Sequence, residues 1–279
     1  MRIRATVAAL SGTLALSALA VPAAQAADGP HLTQREKTAV AKAAAAESDG
    51  DTKITKVVVN KGKDIVVGTT NKVKFDIAVT ATDPEGIYLG DAFLWHGSDI
   101  DSDIDGLLFS EDADDTCAAV NATTATCTVS VVVDPKTDLY DNVLAGKWKV
   151  AATAIGEDGD LAQEDNVSSN ARIQRFARLT TNATPEPVKK GKTLTVKGAL
   201  TRANWYTSKY AGYTKQDVKL QYKKKGASSY TTLKTVKSDS KGNLSTTVKA
   251  SADGYFRYVF AGTSTTPAVT STSDFVDVQ

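Results

Sequence analysis

The chain has 279 residues and is nearly neutral, with 33 Lys and Arg against 32 Asp and Glu and a net charge of +1. Beyond residue 26, no stretch approaches the ~20 apolar residues that a membrane span requires, which excludes a later membrane-spanning helix. The length that remains is more than one small β-sandwich needs and suits two domains of ~100 to 130 residues each.

Residues 1–26 have the three parts of a secretory signal. Arg2 and Arg4 give a positively charged start, residues 5–20 are apolar, and an Ala-x-Ala cleavage site ends at Ala26. We therefore expect the protein to be exported and to act outside the cell.

Residues 27–52 are expected to form a helical or flexible linker. Thr33 and Glu36 stand at capping-box spacing before an alanine-rich run, which favours a short helix. The run contains few large apolar residues to bury, so a flexible linker is an equal alternative.

From Lys53 onward the hydrophobic pattern changes to a period of two residues. Apolar and polar residues alternate along 73–81, 127–133 and 148–154, as they do in strands with one buried face. Turn-forming clusters at 83–86 and 157–160 separate such strands. The pattern predicts an all-β, immunoglobulin-like antiparallel sandwich over residues 53–176.

An acidic run in this region has the spacing of a calcium-binding loop. A 12-residue loop of that type supplies oxygen ligands from positions 1, 3, 5, 7 and 12, with glycine at position 6 for a sharp turn. The corresponding ligands here are Asp101, Asp103, Asp105, the carbonyl of Leu107, and Asp112, with Gly106 at the turn. Asp112 replaces the longer Glu that normally binds through both oxygens, so modest calcium affinity is expected.

A solvated acidic loop is the alternative, because the flanking sequence is typical of strands and not of helices. Crowding of like charges favours the cation, since no Lys or Arg occurs between Lys74 and Lys136. A second acidic group within 157–165 fits a hairpin turn better than a metal site, and comprises Glu157, Asp158, Asp160, Glu164 and Asp165.

The two cysteines of the chain are Cys117 and Cys127. In an exported protein, a pair that flanks a short polar segment predicts a disulfide. Closing a loop of about ten residues stabilises the fold by roughly 3 kcal/mol in the chain-entropy model.

Charge divides the chain near Ala177. Residues 27–175 hold 14 Lys and Arg against 26 Asp and Glu, whereas residues 176–279 hold 17 against 6. We place the domain boundary there and expect a second immunoglobulin-like sandwich over 177–279. Its alternating segments are 194–198, 218–222, 244–248 and 256–260.

The basic second module suggests a different class of function, the binding of an anionic cell-wall polymer or glycan. Its aromatic side chains would stack on sugar rings and its lysines would bind the anionic groups. The candidate contacts are Trp205, Tyr206, Tyr210, Tyr213, Lys223, Lys224 and Lys225. The alternative is that the aromatic residues pack over the end of the sandwich while the lysines keep its surface soluble.

Catalysis and nucleic-acid binding have the least support. His96 is the one histidine in a predicted domain, with Asp91 or Ser98 as partners by proximity in sequence alone. No G-x-S-x-G, H-E-x-x-H or phosphate-loop motif occurs. The basic residues are spread over strand positions without a reading helix. We expect no catalytic residues and no nucleic-acid partner.

Several segments together resemble a known group of proteins. These are the signal MRIRATVAALSGTLALSALAVPAAQA, the strand KITKVVVNKGKDIVVG, LWHG, the paired cysteines, AGKWKVAATAIGEDGD and GYFRYVFAG. They resemble secreted actinobacterial proteins built from immunoglobulin-like modules, of the kind described as calcium-binding. The resemblance covers nearly the whole chain and implies the fold, export and calcium, but it carries over no catalytic residue.

Overall fold

The computed structural model describes residues 48–110 and 116–279, which form almost only β-structure. The predicted signal and most of the predicted linker lie outside these residues. Within the described part of the chain, no helix is long and apolar enough to cross a membrane. The predicted all-β, immunoglobulin-like class is confirmed.

Among residues 48–110 and 116–176, the structure has eleven strands. They are β1 Lys53–Val59, β2 Ile65–Val67, β3 Val73–Thr82, β4 Ile87–Asp99, β5 Asp103–Leu108, β6 Thr116–Asn121, β7 Thr124–Val133, β8 Gly146–Lys147, β9 Lys149–Gly156, β10 Leu161–Val167 and β11 Arg172–Arg175. Two 3-10 turns, Asn60–Gly62 and Asn142–Leu144, connect them.

These strands form two four-stranded antiparallel sheets and one smaller sheet. The sheet orders are β1-β3-β7-β6, β10-β9-β4-β5 and β2-β11-β8. Alternation places Phe75, Ile77 and Val79 of β3 in the core, as the sequence predicts. Trp148 is fully buried among them, and its indole Nε1 donates a hydrogen bond to the Leu144 carbonyl at 2.8 Å.

Ten strands follow the boundary. They are β12 Ala177–Leu179, β13 Asn182–Thr184, β14 Thr193–Asn204, β15 Lys209–Gly212, β16 Asp217–Lys224, β17 Thr231–Lys237, β18 Asn243–Lys249, β19 Gly254–Phe260, β20 Val269–Thr270 and β21 Asp274–Val276.

The second group of strands forms two further sheets around a separate core. In one sheet β14 pairs with β12, β13, β15 and β18, and in the other the order is β17-β16-β19-β20 with β21 beside β19. Tyr258 is fully buried between the sheets, and its hydroxyl donates to the Val196 carbonyl at 3.0 Å. Burial raises the pKa of Tyr258 to about 12.

The predicted disulfide is confirmed. Cys117 on β6 and Cys127 on β7 lie directly opposite each other in the antiparallel register and are bonded. The bond ties the exposed strand β6 to β7, whose side chains reach the core.

Strand β14 and the residue after it carry side chains of the second half into the core of the first. Ala203 and Trp205 belong to the hydrophobic core of the first sandwich, and Trp205 is only 2% exposed. The indole Nε1 of Trp205 donates to the Gly68 carbonyl at 3.0 Å, and its backbone N–H donates to Asn142 Oδ1 at 3.0 Å. No sheet in the described part of the chain contains strands from both sides of residue 177. The first hydrophobic core, in contrast, contains residues from both sides.

Arg175, at the end of β11, completes this junction. Its Nε donates to the Ala203 carbonyl at 2.6 Å, and its backbone N–H donates to the Thr265 carbonyl at 3.0 Å. Burial, aided by the charge of Arg202, lowers the pKa of Arg175 to about 10. Residues 53–176 and 177–279 are called the first and second module below, and their independence as folding units stays a prediction.

Trp205→Ala should lower the free energy of unfolding by about 3–5 kcal/mol, because it leaves a cavity in the core of the other module. Tyr206→Ala is the matched control, since Tyr206 is the adjacent aromatic residue and is 73% exposed. Guanidinium unfolding of the two variants measures both changes. Equal losses in the two variants would contradict the shared core.

Candidate metal centre

The predicted calcium loop is a β-hairpin in the structure. Strand β4 ends at Asp99 and β5 begins at Asp103, with the register pairing these two residues, so only 100–102 form the turn. Asp103 to Leu107 are extended, which points alternate side chains to opposite faces. The loop conformation expected at these positions is therefore wrong.

The carboxylates of this hairpin make local hydrogen bonds. Asp99 Oδ1 accepts from the Asp101 N–H at 2.9 Å and from the Ser102 N–H at 3.0 Å. Asp103 Oδ2 accepts from Ser98 Oγ at 2.5 Å, and Asp105 Oδ1 lies 2.5 Å from His96 Nδ1.

Three further members of the predicted loop are Gly106, Leu107 and Asp112. Gly106 does not make a turn, because it lies in β5, and a Cβ there would come within 2.7 Å of the Trp148 ring. Leu107 pairs with Trp95 across the hairpin. Asp112 lies outside the described residues, so a metal site that includes it stays a prediction.

A different group of carboxylates converges where two other turns meet the segment before β1. Oxygens of Asp51, Asp83 and Glu85 all lie within 4.8 Å of one another, and so do oxygens of Asp83, Asp158 and Asp160. Asp83 belongs to both sets. We call these five residues the acidic centre.

Asp83 is positioned by the turn between β3 and β4. The Gly86 N–H donates to the Asp83 carbonyl at 3.1 Å, with Pro84 at the second position, where its fixed φ suits a β-turn. The carboxylate of Asp83 accepts from the Glu85 N–H at 2.9 Å and from the Thr52 hydroxyl. Asp83 is only 1% exposed, so these two hydrogen bonds stabilise a buried carboxylate at one end of the sandwich.

The hairpin between β9 and β10 supplies the next two carboxylates. The Gly156 N–H donates to the Asp160 carbonyl at 2.9 Å, and Asp158 Oδ1 accepts from the Asp160 N–H at 3.2 Å. The Glu157 N–H donates to the Gly86 carbonyl at 3.0 Å, which joins this hairpin to the turn that holds Asp83. Residues 157–160 are thus the hairpin turn that the sequence predicts, and two of them also enter the acidic centre.

The segment before β1 supplies the fifth carboxylate. Asp49 and Leu161 exchange backbone hydrogen bonds at 2.9 Å, and the Asp51 N–H donates to Asp160 Oδ2 at 2.8 Å. Gly50 is required here, because a Cβ would lie 1.7 Å from Asp160 Oδ2. Residues 48–52, predicted as the end of a linker, instead bond to the first module.

Like charges dominate the electrostatics of the acidic centre. Its five carboxylates form no ion pair with Lys or Arg among the residues described. The Thr52 hydroxyl lowers the pKa of Asp83 by binding its charged form. Burial, and then the charges of Asp158, Asp83 and Asp51, raise the pKa of Glu85. A divalent cation bound by oxygen would relieve this repulsion.

The aromatic residues expected to bind a glycan do not form one exposed surface. Trp205 is buried in the junction and cannot contact a sugar, so its assignment is wrong. The Arg178 guanidinium lies 3.5 Å from the ring centroid of Tyr210, and that of Arg202 lies 3.7 Å from Tyr213. Tyr206 alone among the four is exposed.

Lys223, Lys224 and Lys225 lie at the other end of the sheet from Tyr213. Lys224 pairs with Gly254 at the start of β19, whereas the Tyr213 ring contacts Phe260 at the end of the same strand. The structure therefore separates these lysines from Tyr213 by the length of β19.

His96 has a partner that sequence proximity did not identify. It contacts Asp105 across the hairpin and not Asp91 or Ser98, and its ring lies 5.4 Å from that of Trp148. These contacts place the ring between a strand carboxylate and a core indole.

The acidic centre was missed because its residues are far apart in sequence. Each of the three segments carries an ordinary turn signal in its sequence: D-G-D at 49–51, D-P-E-G at 83–86 and D-G-D at 158–160. The pairing of Asp49 with Leu161 and of Glu157 with Gly86 brings them together, and neither contact has a local signal.

Comparisons with known proteins give structural likenesses at low identity. No family model and no curated protein matches the chain. A marsupial T cell receptor is 12% identical, covers 81% of this chain and 72% of its own, and gives a TM-score of 0.41. Fibronectin(III)-like modules of Clostridium thermocellum CbhA are 11% identical over 80% of this chain and 93% of theirs, with a TM-score of 0.30. The D00-D0 domain of intimin is 13% identical over 79% of this chain and 99% of its own, with a TM-score of 0.27.

Glu85→Gln should stabilise the metal-free protein at neutral pH, because it removes one charge from the acidic centre. The raised pKa of Glu85 means that protonation favours the folded state. Its contribution to stability is therefore largest below the ordinary value of 4.5 and is lost as the pH rises through the raised pKa.

Denaturant unfolding in EDTA over a pH series tests this effect. The stability of Glu85→Gln relative to the natural protein should increase as the pH rises through that pKa. Glu164→Gln is the control, since Glu164 is exposed on β10 outside the acidic centre. The same pH dependence in both variants would contradict charge crowding at Glu85.

Proposed function

We propose that the protein is an exported, non-enzymatic β-sandwich protein whose first module binds a structural calcium ion at the acidic centre. The observation that carries this proposal is the convergence of five carboxylates from three chain segments, with the buried Asp83 common to both sets. The ion is assigned to Asp51, Asp83, Glu85, Asp158 and Asp160, in place of the predicted loop at 101–112.

The donor set favours calcium over other common metals. All five side chains offer carboxylate oxygen, which hard cations prefer, whereas zinc sites normally include histidine or cysteine. Calcium accepts six to eight oxygens in flexible geometry, and turn residues can adjust to such a shell more easily than to the tight octahedron of magnesium. Magnesium is therefore expected to substitute poorly.

The role proposed for the ion is to fasten three segments together. Asp51 precedes β1, Asp83 and Glu85 follow β3, and Asp158 and Asp160 lie between β9 and β10. A cation shared by these carboxylates would hold the chain entering the first module against two of its turns. Extracellular modules of this type bind calcium with dissociation constants near 10⁻⁴ to 10⁻³ M, so occupancy would follow extracellular calcium.

Export is supported by two independent features. Residues 1–26 have the pattern of a secretory signal, and the bond between Cys117 and Cys127 suits an oxidising compartment. Calcium is abundant in the same compartment, which makes a weak structural site useful there.

Addition of about 1 mM calcium should raise the melting temperature and stabilise the protein by about 1 kcal/mol, and EDTA should reverse the shift. Asp83→Asn and Asp160→Asn should abolish the shift, because each removes a carboxylate from the acidic centre. Asp103→Asn is the matched control and should retain it. Thermal melts and calorimetric titration of the four proteins make the comparison.

The variants separate the two candidate sites. Loss of the shift in Asp103→Asn with retention in Asp160→Asn would place the ion in the 101–112 segment and contradict the acidic centre. Identical melts of the natural protein in calcium and in EDTA, without heat on titration, would contradict calcium binding altogether.

A further inference from the structure

The outer face of one sheet in the second module carries an arrangement of cations and aromatic rings that the metal centre does not explain. Lys223 lies on β16, Tyr255 and Arg257 lie on β19, Phe275 lies on β21, and Tyr230 directly precedes β17. We call these five residues the cationic face. Their neighbours in the strands, such as Phe256, Tyr258 and Val276, point into the core, so alternation turns the face outward.

Arg257 is held in one orientation on this face. Its guanidinium carbon lies 3.7 Å from the ring centroid of Tyr230, and its Nε donates to Gln221 Oε1 at 2.9 Å. The Tyr230 hydroxyl is in turn hydrogen bonded to Ser273 Oγ at 2.6 Å. A guanidinium fixed by stacking and by one hydrogen bond presents its terminal N–H groups as a preorganised fork for an oxyanion.

Lys223 and two aromatic rings extend the cationic face along the sheet. The Lys223 ammonium lies 5.2 Å from the ring centroids of both Tyr230 and Tyr255. The rings of Tyr255 and Phe275 follow, with centroids 5.1 Å apart. Cations and rings therefore lie side by side over neighbouring strands, which gives an extended surface and not a single point of charge.

The charges of the cationic face are not neutralised within the described part of the chain. The ion pairs of the second module there join Lys225 to Asp253 and Lys237 to Asp217, and neither Lys223 nor Arg257 takes part in one. Other acids of this module are used elsewhere: Asp239 caps the turn before β18, and Asp274 accepts from the Ala183 N–H. The module as a whole has 17 basic against 6 acidic residues.

We propose that the cationic face binds an acidic polysaccharide, with its anionic groups at Arg257 and Lys223 and a sugar ring against Tyr255 and Phe275. Charge complementarity selects an anionic partner. The C–H faces of a pyranose suit contact with aromatic rings, and an extended sheet surface suits a polymer. Export makes a carbohydrate outside the cell the expected source, and a nucleic acid becomes one outcome of the test.

This assignment does not depend on the metal centre and differs from the contact set that the sequence suggests. Lys223 belongs to both contact sets. The aromatic residues differ, because Tyr230, Tyr255 and Phe275 replace Trp205, Tyr206, Tyr210 and Tyr213. Those rings are distributed over residues 230–275. They become neighbours because β17 pairs with β16, β16 with β19, and β19 with β21.

Binding of dextran sulfate and of unsulfated dextran, measured in EDTA at about 20 mM salt, tests the proposal without calcium and with little charge screening. The full natural chain should bind dextran sulfate and release it in about 1 M salt. It should not bind unsulfated dextran. The double variant Lys223→Gln with Arg257→Gln should bind at least about tenfold more weakly, since two charge-assisted contacts are removed.

The control for charge is Lys197→Gln, because Lys197 is exposed on β14 in the other sheet of the same module. It should change the dissociation constant by less than about twofold, as a remote surface charge does. Thermal melts of all variants exclude unfolding as the cause of weak binding. Equal weakening by Lys197→Gln and by the double variant would overturn the assignment of the site.

Further probes test the chemistry of the partner. Tyr255→Leu should weaken dextran sulfate binding while leaving polyphosphate binding unchanged, because only the sugar polymer contacts the ring. An equal effect on both polymers would overturn the sugar contact. Tighter binding of a single-stranded oligonucleotide than of dextran sulfate at matched charge would overturn the carbohydrate assignment, and no binding of dextran sulfate would overturn the proposal.

Discussion

The buried carboxylate of Asp83 is the constraint on which the acidic centre depends. A charge removed from water must be hydrogen bonded or paired, and Asp83 receives a hydroxyl and a backbone N–H instead of a cation. These neutral donors keep the carboxylate ionised without cancelling its charge. Its negative charge therefore adds to that of Asp51, Glu85, Asp158 and Asp160, and this is the repulsion that the proposed calcium ion would relieve.

Local pattern was enough to predict the fold, because strand alternation is a property of adjacent residues. The segment 73–81 reads as a strand with one buried face, and β3 has that form over Val73–Thr82. The disulfide was likewise predictable, since Cys117 and Cys127 are near in sequence and belong to one hairpin. Antiparallel pairing of neighbours converts such short-range information directly into structure.

The sites could not be predicted in the same way, because sheet pairing and not sequence spacing brings their residues together. Asp101, Asp103 and Asp105 match a calcium-binding loop by spacing. The pairing of β4 with β5 instead puts Asp103 and Asp105 in an extended strand, where Asp105 contacts His96. Asp51 and Asp160 are 109 residues apart and still share a hydrogen bond. Trp205 was predicted as a sugar contact because nothing near it in sequence shows that it hydrogen bonds to Gly68 and Asn142.

The indole of Trp205 also decides how the chain can be divided experimentally. The change of charge sign near Ala177 suggests a place to divide the chain. A fragment that ends there would have a cavity in its core at the positions of Ala203 and Trp205. The complementary fragment would expose that same tryptophan to water. Neither fragment would then have the stability or the solubility that the same residues have in the intact molecule. A fragment made for experiments should therefore contain Trp205 together with Gly68 and Asn142, the residues that hydrogen bond to it.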